Sequence, residues 1–131
     1  MKKPDFPLYS LSGRIVHGLK NGRKVGMPTA NLQLHPGQEM PPFGVYAASL
    51  AIDGKTYLGV TNVGLRPTLS GEQQPTIETF ILNYSGDLYG RELSLSLWAF
   101  LRSTRKMTSL EEVKKQVEKD AQVTRALLEG E

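Results

Sequence analysis

Val45-Tyr-Ala-Ala-Ser-Leu-Ala-Ile-Asp53-Gly54-Lys-Thr-Tyr-Leu-Gly-Val-Thr-Asn-Val63 is the stretch on which the fold turns. Two runs of strand length, 45–52 and 55–63, meet at Asp53-Gly54. A two-residue hairpin turn of the type that matches strand twist needs positive φ at both central positions, and Asp-Gly accepts it. Working towards the N-terminus, Pro41-Pro-Phe-Gly44 reads as a turn, 29–34 as a short strand and 10–17 as another. Towards the C-terminus, 76–84 and 92–101 read as two further strands, split by Ser85-Gly86-Asp87 and Tyr89-Gly90. About six short strands between Gly/Pro punctuation predict an all-β fold, a six-stranded antiparallel closed barrel over about 10–102.

Beyond the last strand the period changes. Leu110, Val113, Val117, Ala121, Thr124 and Leu128 recur every three or four residues, which predicts a C-terminal α-helix over about 109–128 packed against the barrel. Ser109 with Glu112 three residues on is a capping box, in which each side chain satisfies a free N–H at the helix start. The charges on this helix nearly balance, so it reads as a structural brace. A length of 131 residues fits a single domain, 1–131.

With 39% hydrophobic residues the chain belongs with globular proteins. No apolar run approaches the ~20 residues that cross a bilayer, so no membrane role is expected. Residues 1–12 lack the apolar centre of a secretory signal. Without cysteine there is neither a disulfide framework nor a thiolate metal site, and a cytoplasmic location is the default expectation. The net charge is +3, unevenly spread: residues 1–35 hold six Lys/Arg against Asp5 alone, while 36–100 hold three bases against six acids. An N-terminal excess of this kind suits an anionic partner, a phosphorylated small molecule or a nucleic acid, or is simply solvated surface.

No Gly-x-x-x-x-Gly-Lys-Ser/Thr loop and no Gly-x-Gly-x-x-Gly fingerprint is present. Two histidines, His17 and His35, cannot make a transition-metal cluster by themselves, and no nucleophile elbow marks a hydrolase. The positive signals lie elsewhere. Gly18-Leu-Lys-Asn-Gly22-Arg23-Lys-Val-Gly26 combines three glycines with three bases. Glycine lets backbone N–H groups approach phosphate closely, and Lys20, Arg23 and Lys24 add opposite charge; a surface hairpin has the same composition. Met27-Pro-Thr29-Ala-Asn31-Leu follows at once. Thr29 and Asn31, two apart on one strand face, offer the hard oxygen ligands that Mg²⁺ takes, or belong to a turn. Glu78 shares a strand face with Phe80 and Leu82, while Ile77 and Ile81 occupy the other, so alternation leaves the inward face open. Facing inward, Glu78 would be a half-buried carboxylate fit for general-base work; facing outward, an ordinary surface Glu. Trp98, Phe100 and Tyr89 could wall a flat apolar slot, or pack the core.

Taken in order, these motifs carry a resemblance. Gly18, Gly22-Arg23, Gly26-x-Pro-Thr-Ala-Asn-Leu, Gly44-Val-Tyr-Ala, Tyr57-x-Gly-Val-x-Asn-Val-Gly64, Arg66-Pro-Thr68, Ile77-Glu78, Gly86-Asp-Leu-Tyr-Gly90, Phe100-Leu-Arg102 and Ser109-Leu-Glu-Glu follow the order of the riboflavin kinase family over about 11–128. The resemblance implies ATP-dependent phosphorylation of the ribityl 5′-hydroxyl of riboflavin, with FMN and ADP as products. It implies that Thr29 and Asn31 hold Mg²⁺ on the ATP phosphates, that the loop with Gly18, Gly22, Arg23 and Gly26 closes over them, and that Glu78 is the base. Arg102 and Tyr89 are expected at the flavin. Met27 and Met107 stand where the family usually has aromatic residues, and Thr79-Phe80 depart from the commoner pattern, which touches substrate fit more than catalysis. Many bacterial relatives carry an N-terminal adenylyltransferase (FAD synthetase) domain, which this chain is too short to hold beside the barrel. The alternative is a non-catalytic flavin- or RNA-binding barrel; against RNA, aromatics are only 8% and do not interleave with the N-terminal bases.

Overall fold

Six strands and one helix follow one another: β1 (Tyr9–Val16), β2 (Thr29–Leu34), β3 (Gly44–Ile52), β4 (Lys55–Pro67), β5 (Gln73–Ile81), β6 (Glu92–Arg102) and α1 (Leu110–Leu128). They belong to a computed structural model that describes residues 4–16, 29–67, 70–104, 107 and 109–129. The strands close into an antiparallel barrel in the order β1-β2-β5-β4-β3-β6. The expected barrel and C-terminal helix are therefore present. β4 runs four residues further than expected, to Pro67, and pairs along that extension with the start of β5. β5 in turn stops at Ile81, where Leu82 still donates to the Leu58 carbonyl and Asn83 turns the chain at φ 60°.

Asp53 and Gly54 adopt φ 51° and 82°, the positive pair that the β3–β4 hairpin requires. Arg91, just ahead of β6, holds Asp53 across that end of the barrel with an Nη2–Oδ1 distance of 2.7 Å. Hydrogen bonding from this guanidinium keeps the Asp53 carboxyl below the usual carboxylate range. Gly13 permits a close approach of β1 to β2: a Cβ there would sit 2.0 Å from the Gln33 carbonyl oxygen.

Two apolar clusters divide the molecule. Inward-facing residues such as Ile15, Leu32, Tyr46, Leu50, Ile77, Ile81 and Leu97 fill the barrel. Outside it, Val45, Val60, Phe80 and Leu82 meet Val117 and Ala121 of α1. Each fully buried side chain of this size contributes roughly 1.5–3 kcal/mol, so the helix is bound to the barrel wall by several such residues. Ser109 caps the helix, its Oγ accepting from the Glu112 N–H at 3.1 Å. Leu110 is exposed, and Leu127 takes the buried place expected of Leu128. No described helix is long and apolar enough to cross a membrane.

Candidate active site

The double layer explains why alternation could not orient Glu78. Ile77 and Ile81 point into the barrel, whereas Phe80 and Leu82, on Glu78's face, point out beneath the helix. Both faces of β5 are apolar because both are covered. Glu78 thus lies on the barrel's outer wall, half-buried, with its Oε2 shut off from solvent.

Register places its neighbours. Glu78 stands opposite Asn31 of β2 on one side and Asn62 of β4 on the other. Asn62 faces Val45 of β3, and Val45 faces Arg102 at the end of β6. Directly opposed residues share a face of the sheet, so Asn31, Glu78, Asn62, Val45 and Arg102 form one row on the outer wall. Thr29 lies opposite Phe80, on the same face. Asn31 is only 9% exposed.

A cavity opens on each side of the Asn31–Glu78 pair. The first, of about 270 Å³, lies between the barrel wall and α1, with Glu78, Asn62 and Arg102 over an apolar floor of Val60 and Phe80, and Met107 at its edge. The second, also about 270 Å³, has polar walls from Asn31, Gln33, Gln74 and Thr76 beside Val16. Val16 and Thr29 border the segment that carries Gly18, Gly22, Arg23 and Gly26, which lies outside the described residues. His17 lies outside them too. His35 pairs with Glu92, which also accepts from Arg14 Nε at 3.0 Å, on an exposed part of the wall. Among the described residues no three His, Cys, Asp or Glu side chains gather as metal ligands. The donor set near Glu78 is instead amide, hydroxyl and carboxylate oxygen, which fits Mg²⁺.

The structure brings Thr29, Asn31, Glu78 and Arg102 onto one face and leaves Tyr89 elsewhere. Tyr89 precedes β6 and is 55% exposed, while Arg102 ends that 11-residue strand. At ~3.3 Å per residue they are some 30 Å apart along the chain direction, and Tyr89 lines neither cavity. Trp98 donates to Ser49 Oγ at 2.8 Å, and Phe100 packs edge-on against Tyr46; both brace the barrel instead of lining these cavities. Sequence reasoning missed Asp120. This helix residue is buried to 4% exposure and grips Arg102, Nη2 to Oδ2 at 2.8 Å and Nε to Oδ1 at 3.1 Å. A carboxylate falling on the apolar stripe between Val117 and Ala121 was the signal.

The sequence model of the family described as "Flavokinase: Riboflavin kinase" matches residues 7–128. The chain is 40% identical over 119 residues to a bifunctional riboflavin kinase/FMN adenylyltransferase of Pseudomonas fluorescens, covering 91% of this chain and 38% of that protein. A solved structure described as a macrolide-efflux protein from Streptococcus pneumoniae superposes with a TM-score of 0.80 at 33% identity, covering 91% of this chain and 38% of the other. A riboflavin kinase from Trypanosoma brucei shares the fold, with a TM-score of 0.61 at 21% identity over 96% of this chain and 83% of that one.

Proposed function

Because the chain belongs to the riboflavin kinase family, we propose that it transfers the terminal phosphoryl group of ATP to the primary ribityl hydroxyl of riboflavin, giving FMN and ADP. The observation that carries this reading is the register pair Asn31–Glu78 between two cavities of different character. The polar cavity beside Asn31 suits the nucleotide phosphates. The cavity under the helix, apolar with Arg102 at one end, suits the flavin.

Phosphoryl transfer is mainly positioning and charge neutralisation. Thr29 and Asn31 would hold Mg²⁺, which neutralises the phosphate oxygens when bound. Gly18, Gly22, Arg23 and Gly26 would add backbone N–H groups and charge over the same phosphates. Glu78, at the junction, accepts the proton of the ribityl hydroxyl as its oxygen bonds to the γ-phosphorus and the bond to the bridging oxygen of ADP breaks. The walls of Val60, Phe80 and α1 exclude water from that oxygen, which protects against simple ATP hydrolysis. The test is incubation with riboflavin and Mg-ATP and separation of the products. FMN and ADP are expected; a flavin- or RNA-binding barrel without catalysis would bind ligand and leave ATP intact.

A further inference from the structure

Arg102 is held from behind. Asp120 approaches its Nε/Nη2 edge side-on, with contacts of 2.8, 3.1 and 3.3 Å. Gln116, one helical turn earlier, donates to Asp120 Oδ1 at 3.2 Å and fixes the carboxylate in turn. Arg102 Nη1 also donates to the Ser103 carbonyl at 3.3 Å. A guanidinium has five N–H donors in a rigid plane. These bonds use Nε–H and one hydrogen on each Nη, and among the described residues nothing takes the other two. Arg102 lines the same cavity as Glu78 and Asn62.

A surface Arg that merely tied the helix to the barrel would not need a partner buried to 4% exposure. Burying a carboxylate is costly unless its partner is held in good geometry, and these contacts leave one N–H on each Nη of a guanidinium that lines the cavity. We propose that Asp120 is a positioning residue for the flavin substrate. It sets the plane of Arg102 so that the two remaining N–H groups meet the imide carbonyl edge of the isoalloxazine ring, opposite the end where Glu78 meets the ribityl chain. This inference rests on the riboflavin kinase reading and assigns to the helix, otherwise a brace, a part in choosing the substrate.

The experiment compares initial rates of FMN formation for wild type, Asp120→Asn, Arg102→Lys and the double variant, each checked for folding by circular dichroism. Asp120→Asn keeps shape but loses the charge and one acceptor, so the Arg102 plane is released. The KM for riboflavin should rise about tenfold, as expected for a hydrogen bond to a charged group. The KM for ATP should stay within about twofold, and kcat within about threefold, because nothing at Asn31 or Glu78 changes. In the Arg102→Lys background, where the planar fork is gone, Asp120→Asn should add little. Gln116→Leu leaves both charges in place, guards against misfolding of the Asp120 variant, and should raise the riboflavin KM by about two- to threefold. An unchanged riboflavin KM in folded Asp120→Asn overturns the proposal. So does a uniform fall in activity at unchanged KM for both substrates, or full additivity in the double variant. If wild type makes no FMN, the kinase reading fails and this one with it; if wild type makes FMN and the variants match it, only the positioning role fails.

Discussion

Glu78 derives its setting from three neighbours on three other elements: Asn31 and Asn62 in register, and α1 above. If it takes the hydroxyl proton, Glu78→Gln should lower kcat by about 10² or more with nucleotide affinity near wild type, since the amide keeps size and polarity but cannot accept the proton. Steady-state kinetics with titrated ATP checks this, and a kcat within a few-fold of wild type would mean that orientation alone suffices. Asn31→Ala should instead weaken use of Mg-ATP severely while leaving the fold intact, which the dependence of rate on Mg-ATP concentration measures. At the far end of the barrel Asp53 offers a pH test. Its carboxyl is lowered by the hydrogen bond and charge of Arg91, so the tie is fully present above the ordinary Asp value of ~3.9 and is lost as pH falls through the lower folded value. Titration by NMR should place Asp53 below that ordinary value, and Arg91→Ala should return it upward. A motif marks Thr29, Asn31, Glu78 and Arg102 in the sequence, and the strand register sets the four on one face of the barrel. Asp120 carries no such mark: it falls on the apolar stripe between Val117 and Ala121, but the partner it meets there lies 18 positions away, beyond any local pattern.

The hairpin and the helix were legible as elements for local reasons. Asp53-Gly54 admits few turns, and Ser109 with Glu112 marks one helix start. Which face of β5 looks inward was not legible, since a strand covered by the barrel core on one side and α1 on the other is apolar on both. Strand ends shifted where pairing outran the pattern, as in the tail of β4. Two substitutions test the elements. Gly13→Ala would drive a methyl into the Gln33 carbonyl, a backbone atom that cannot step aside; a loss of about 3 kcal/mol, at the upper end of ordinary overpacking costs, should appear in urea unfolding. Ser109→Ala removes the cap acceptor and should cost about 1 kcal/mol by the same measurement. The cost should fall on the helix that covers the groove.

At the scale of the whole molecule, the barrel supplies a rigid wall and the helix turns a stretch of that wall into a slot. Neither element holds the site alone: Asn31 and Glu78 come from β2 and β5, Arg102 from β6, Asp120 from α1. The chain spans about 38% of the length of the bifunctional Pseudomonas relative. On the proposed reading these residues carry out the first of the two activities named for that protein. The measurement that tests this most directly is a chromatographic time course of the protein with riboflavin and excess Mg-ATP. The account predicts one FMN and one ADP for each riboflavin consumed. Riboflavin left unchanged, whether or not ATP is hydrolysed, would contradict it.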